Sequence, residues 1–99
     1  MHVEIWQCKK DSEIIYMNYE FASRTANLRN YMKYYNKIYE YEEDRYSSTP
    51  ERIILELISQ RFKRNVPADF KGHAITVSDL IMLDDKIFFV DTFGFQPIY

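Results

Sequence analysis

Polar and apolar residues alternate from the start of the chain. In His2-Val3-Glu4-Ile5-Trp6-Gln7-Cys8, Val3 and Ile5 share one parity with Gln7, and His2, Glu4, Trp6 and Cys8 take the other. A period of two sends successive side chains to opposite faces, so the segment reads as a strand. Lys9-Lys10-Asp11-Ser12 carries turn residues, and Glu13-Ile14-Ile15-Tyr16-Met17 reads as a second strand, which predicts a hairpin. Between residues 20 and 30 the pattern is polar and helix-compatible. Phe21, Ala22, Thr25, Ala26 and Leu28 offer a weak apolar stripe for one or two helical turns.

Residues 31–44 fit two periods. Tyr31, Tyr34, Tyr35, Ile38, Tyr39 and Glu42 follow a helical repeat, while Tyr35, Lys37, Tyr39 and Tyr41 share a strand parity. Residues 43–48 read as a loop. Thr49-Pro50-Glu51 is a helix start: Thr49 can cap, Pro50 suits the first helical position and Glu51 complements the positive end. Ile54, Leu55, Ile58 and Phe62 then line one face, widened by Ile53 and Leu57. The spacing predicts an amphipathic helix over about residues 50–63, with Asn65 and Pro67 as stop signals. After a turn at 67–72, Leu80-Ile81-Met82-Leu83 and Ile87-Phe88-Phe89-Val90 flank the turn Asp84-Asp85-Lys86 as an antiparallel pair. Residues 95–98 form a short edge strand, where Pro97 is tolerated. Strands, one main helix and strands again indicate an α+β fold: a small, mostly antiparallel sheet with the helix packed on one face.

Ninety-nine residues constitute one domain with a real but thin core. The net charge of -2 is too small for a DNA mimic and of the wrong sign for a nonspecific DNA binder. The single Cys8 has no internal disulfide partner, which fits a reducing cytoplasm. Met1-His2-Val3-Glu4 lacks the basic start and apolar run of a signal peptide, and no apolar stretch reaches the roughly 18 residues that span a bilayer. No membrane association and no cofactor are expected.

Two runs carry the densest pattern. The first is Pro67-Ala68-Asp69-Phe70-Lys71-Gly72-His73-Ala74-Ile75-Thr76-Val77-Ser78-Asp79-Leu80-Ile81-Met82-Leu83. The second is Phe89-Val90-Asp91-Thr92-Phe93-Gly94-Phe95. Together they resemble the YodL-like domain family, whose members show P-x-D-F-x-G-H-S-[LI]-S-V-S-D-[VI] followed by Y-V-D-S-x-G-F. The helix ending in Phe62 is similar to the family's helix, and residues 35–41 sit where the family has an N-Y-x-x-V-Y strand. That favours a strand over residues 35–42. The clear resemblance covers about residues 50–96. Ala74, Thr76 and Thr92 replace usual Ser residues, so any role of a hydroxyl at position 74 is missing here. The resemblance implies a small protein of Gram-positive bacteria and their mobile elements, with no enzymatic activity attached to the domain. By neighbourhood it points to an anti-defence binding protein, anti-CRISPR or antirestriction, that meets a host defence nuclease or its guide complex.

Asp69, His73, Ser78 and Asp79 invite a Ser/His/Asp reading, and His73, Asp79 and Asp91 a metal reading. Structure is the better account. Asp and Ser at turns bond nearby backbone amides, and His73 after Gly72 can lock a turn. The motif residues Asp69, Phe70, Gly72, His73, Ser78, Asp79, Asp91, Gly94 and Phe95 are therefore assigned to the fold, with no catalytic or metal role. Gly94 supplies a positive φ or a bulge; of the flanking Phe93 and Phe95, one plugs the core and one is exposed.

Contact residues come from elsewhere. Arg61, Lys63, Arg64 and Lys71 make a basic patch that can meet nucleic-acid phosphates or simply complement a helix dipole. Glu40, Glu42, Glu43 and Asp44 are interleaved with Tyr39, Tyr41 and Tyr46, and acid beside Tyr suits a protein interface. Tyr35, Tyr39, Tyr41, Glu42, Glu43, Arg61, Lys63 and Arg64 are the expected partner-binding residues. The partner is expected to be protein, with nucleic acid as the alternative. An exposed edge strand also leaves dimerisation open.

Overall fold

The structure, a computed structural model, describes residues 1–98. Five antiparallel strands form one sheet: β1 (His2–Cys8), β2 (Tyr35–Glu42), β3 (Leu80–Leu83), β4 (Lys86–Val90) and β5 (Phe95–Pro97). Their spatial order is β2-β1-β3-β4-β5. Two helices, α1 (Tyr19–Thr25) and α2 (Glu51–Arg64), and a 3-10 segment (Leu28–Lys33) complete the chain. The expected α+β architecture is present, and no helix among the described residues is long and apolar enough to cross a membrane.

Both faces of the sheet are covered. On one, α2 buries Ile54, Leu55, Ile58 and Phe62 against Val3, Ile5, Ile81, Leu83, Phe88 and Val90. On the other, Ala22, Ala26 and Leu28 cover Leu80, Met82, Ile87 and Phe89. This explains the unbroken apolar run of β3. A central strand covered on both faces has no polar parity, and all four of its residues are buried. Ile53 and Leu57, expected to widen the α2 stripe, stand about 40% exposed instead.

The expected second strand at residues 13–17 does not form. These residues make turns, with Tyr16 in the left-handed region at φ 64°, and only Ile14 enters the core. A strand there would need an edge of β1 to pair with, and both edges are already taken by β2 and β3. Thr49 does not cap α2 either. Pro50 holds the cap position with extended ψ 143°, no side-chain cap bond is made, and the Pro50 carbonyl accepts the amides of Ile53 and Ile54. The weak stripe of residues 20–30 becomes α1, capped by Asn18 Oδ1 on the Phe21 amide at 3.0 Å, followed by the 3-10 segment.

One irregularity reassigns a face. Between β1 and β2 the register slips so that Ile5 faces Tyr39 while Trp6 faces Lys37, leaving Ile38 as an extra residue. Such a bulge reverses the parity of everything beyond it. Tyr39 and Tyr41 therefore join the α2 side, and Tyr35, of the same sequence parity, joins the opposite core beside Cys8.

Candidate functional site

The motif residues of positions 72–79 converge on β1. Gln7 is buried there, and its side-chain amide clamps the incoming chain. Its Oε1 accepts the His73 amide at 3.2 Å, and its Nε2 donates to the His73 carbonyl at 2.9 Å and to Asp79 Oδ2 at 3.1 Å. Asp79 Oδ2 also accepts the Thr76 amide at 3.0 Å. Ser78 sits at φ 80°, an uncommon conformation for a non-glycine residue. Four bonds hold it there. Its amide donates to the Val90 carbonyl, its carbonyl accepts the Tyr35 hydroxyl at 2.5 Å, and its Oγ accepts the Tyr16 amide at 2.9 Å and lies 3.6 Å from Cys8 Sγ. The motif is thus a fastening between β1, β2 and the entry to β3.

This geometry corrects one expected contact residue. Tyr35 is 1% exposed, its hydroxyl is committed to Ser78, and burial pushes its phenol far above the ordinary range. It is a core residue with no surface to offer. Burial likewise raises the Cys8 thiol, which keeps it protonated and unreactive.

Asp79 is 1% exposed, and burial pushes its carboxyl up to about 6, although the Thr76 amide, His73 and Gln7 pull the other way. His73 keeps 44% of its side chain exposed. Its Nδ1 lies 2.8 Å from the Ala74 carbonyl and its Nε2 3.9 Å from Asp79 Oδ1. The imidazole therefore serves the backbone of its own turn, and Ser78 Oγ bonds to Tyr16 and Cys8 rather than to His73. Asp91 Oδ1 accepts the Tyr19 and Thr92 amides at 3.0 and 2.9 Å, tying the start of α1 to the end of β4.

Gly72 is required by crowding. A Cβ there would lie 2.3 Å from Gln7 Oε1 and 2.8 Å from both Ile38 Cγ2 and Phe70 Cζ. Gln7 cannot yield without releasing His73 and Asp79. Gly72→Ala is expected to destabilise the protein by about 1–3 kcal/mol, read as a lower urea midpoint; an unchanged midpoint would show that the Gln7 clamp is not tight. Gly94, at φ 77°, has open space around it, so there the left-handed backbone itself is the requirement. Phe95 packs against the core while Phe93 is 89% exposed, as the flanking pattern led one to expect.

The second constellation lies on the α2 side of β2. Tyr39, Tyr41, Phe62 and Phe70 form a ring cluster with centroids 5.0–5.9 Å apart. The Arg61 guanidinium lies 5.0 Å from the Tyr41 ring centre, a cation–π arrangement. The Tyr39 hydroxyl donates to Asp69 Oδ1 at 2.8 Å, which raises its phenol above the usual range. Glu43 is 5% exposed. It receives Arg45 through two bonds of 2.7 and 2.8 Å and has Arg61 at 4.0 Å, so its carboxyl is held below the ordinary range. Tyr41, half-buried, has its phenol pushed up to about 12 by burial, with Arg61 opposing.

The acidic Tyr segment and the basic helix end, read separately in sequence, thus meet on one surface. Tyr39, Arg61 and Asp69 are its accessible members, with Tyr41 half-buried behind them. Glu43 is a buried anchor for two arginines rather than a free acid, a second correction. Glu42 points to the opposite face, toward His2. Lys63 and Arg64 are exposed in the last turn of α2. Three residues escaped the sequence reading. Gln7 carried a signal, a polar side chain on the buried parity of β1. Tyr16 carried none, because its partner Ser78 is far off in the chain and its φ is unusual; Arg45 carried none, because nothing local marks its neighbour Glu43 as buried.

Comparison with known families gives one match: the model of the YodL-like domain covers residues 2–99, extending the resemblance of residues 50–96 across β1, α1 and β2. Neither the curated proteins nor the solved structures yield a match.

Proposed function

Because the chain belongs to the YodL-like domain family, we propose that it is a non-enzymatic binding protein of a mobile genetic element that works in the host cytoplasm. It would counteract a defence nuclease, of CRISPR or restriction type, by protein–protein contact. The observation that carries this reading is the convergence of Tyr39, Arg61 and Asp69 on one accessible aromatic surface. Tyr and Arg are the residue types enriched in binding hot spots. Here both are pre-positioned: Tyr39 by Asp69, and Arg61 by the Tyr41 ring, so little side-chain freedom is lost on contact. The engagement of Ser78, His73 and Asp79 in fold-stabilising bonds supports the absence of catalysis.

The test is capture from host lysate by the tagged protein, with and without nuclease treatment. A stoichiometric defence nuclease that survives treatment is expected from the wild type, and its capture should fall at least about tenfold for Tyr39→Ala combined with Arg61→Ala. Arg24→Ala, on the far side of the sheet, should not alter it. Equal capture by the double variant would remove this surface from the reading. Retention that needs intact nucleic acid, with steep salt dependence, would shift it to Arg61, Lys63 and Arg64 as a phosphate-binding patch.

A further inference from the structure

On the face of β1 and β2 away from α2, the antiparallel register sets His2 opposite Glu42 and Glu4 opposite Glu40. Two glutamates directly across a ladder repel each other unless a cation lies between them. A third carboxylate, Glu42, stands alongside, and the only basic side chain bonded to these glutamates besides His2, among the described residues, is Lys37, whose Nζ is 3.2 Å from Glu40 Oε2. The His2 imidazole occupies the centre. Its Nε2 lies 3.0 Å from Glu4 Oε2 and 3.2 Å from Glu40 Oε2.

We propose that His2 Nε2, Glu4 and Glu40 form a binding site for a first-row divalent cation such as Zn²⁺ or Mn²⁺. The three ligand atoms lie within 4.8 Å of one another. Bonds of about 2.0–2.2 Å to one ion place ligands roughly 3–4 Å apart, so only small side-chain shifts are needed. Two further contacts match what orients metal ligands. Glu42 Oε2 is 2.6 Å from His2 Nδ1. A carboxylate there fixes the proton on Nδ1, so that an ion replacing the proton Nε2 shares with Glu4 and Glu40 would meet the Nε2 lone pair. The Trp6 indole donates to Glu4 Oε1 at 2.8 Å, leaving Oε2 turned to the centre. The site has three protein ligands and an open side to solvent. One imidazole with two carboxylates favours a borderline transition metal over Mg²⁺ or Ca²⁺. Such an ion would displace Lys37 from Glu40 and clip the edge strand β2 to β1. This site does not depend on the proposed partner surface, which lies on the opposite face of the sheet.

Trp6 is the single tryptophan of the chain and touches a proposed ligand, so its fluorescence reports the site. Metal-free protein titrated with Co²⁺ should show saturable quenching at one equivalent, reversed by Zn²⁺ and not produced by Mg²⁺. Zn²⁺ should also raise the melting temperature, as any ligand of the native state does. Glu40→Gln, exposed and tolerant of change, should weaken binding on the order of a hundredfold, and Glu42→Gln by about tenfold. Glu51→Gln, distant on α2, should leave it intact. No saturable response to Co²⁺ or Zn²⁺ at millimolar concentration would overturn the site. Unchanged affinity in Glu40→Gln would also overturn it, since the ion would then not be held by Glu40 across the two strands.

Discussion

Phe62→Ala is expected to lower the unfolding free energy by about 3–5 kcal/mol, the largest single effect we foresee. Phe62 has no exposed surface, and its ring meets Tyr39, Tyr41 and Phe70 edge-on or tilted. Removing it takes away apolar burial and leaves a cavity that the neighbours cannot close. Tyr39 is held by Asp69, and the Phe62 carbonyl ties α2 to the Ile75 amide. Phe62→Leu should cost much less, because most of the volume stays. Urea denaturation of both variants measures the difference. A loss below about 1 kcal/mol for Phe62→Ala would mean that this face collapses freely. Loosening of Tyr39 and Arg61 should accompany the loss, so partner capture should weaken in Phe62→Ala even where the protein remains folded.

The second large effect is a pH dependence centred on Asp79. The folded carboxyl titrates at about 6, against 3.8 for the ordinary group, because burial penalises its charged form. A folded pKa above the unfolded one means that the native state holds the proton more tightly. Its stabilising contribution is fully present below about pH 4 and is lost as pH rises through 6. A difference of about two pKa units corresponds to roughly 3 kcal/mol. The urea midpoint of the wild type should therefore fall mainly between about pH 4 and pH 7, with little further loss from this group above that range. His2, raised by its bond to Glu42, tends the same way, so the diagnostic quantity is the part of the slope that Asp79→Asn removes. The asparagine oxygen can still accept from Gln7 and Thr76, so this variant should match the wild type at low pH and exceed it at high pH. Asp79→Ala should be destabilised at every pH, by about 1–3 kcal/mol for each donor left without an acceptor. An Asp79→Asn profile as steep as that of the wild type would show that the pH dependence arises elsewhere.

Much of the architecture was legible because it rests on local periodicity. The stripe Ile54, Leu55, Ile58 and Phe62, with Asn65 and Pro67 behind it, could only be an amphipathic helix that stops where it does. The run Leu80-Ile81-Met82-Leu83 and its partner beyond Asp84-Asp85 contained both the strands and the turn between them. At positions 69–79 the bond of Asp79 to the Thr76 amide is of the local kind that turn residues make, whereas Asp69 and Ser78 bond to Tyr39 and Tyr16, far off in the chain.

Where reading from sequence failed, the deciding contact was distant in the chain. Residues 13–17 have strand-like composition, but β1 spends its two edges on β2 and β3, so no edge remains for them. Tyr35 shares its parity with Tyr39 and Tyr41, and only the bulge at Ile38 sends it to the opposite core. Glu43 looks like one more acid in a solvated run until the fold buries it and places Arg61 beside it.

The chain by itself thus determined the class of fold, the main helix and the β3–β4 hairpin, through propensity and period. Tertiary structure alone decided which tyrosines are surface and which are core. It also brought Tyr39, Arg61 and Asp69 to one face, and set His2, Glu4 and Glu40 around one centre. Those outcomes depend on strand register, and register is a property of paired segments: a one-residue slip leaves each local pattern intact yet exchanges the face that every side chain occupies.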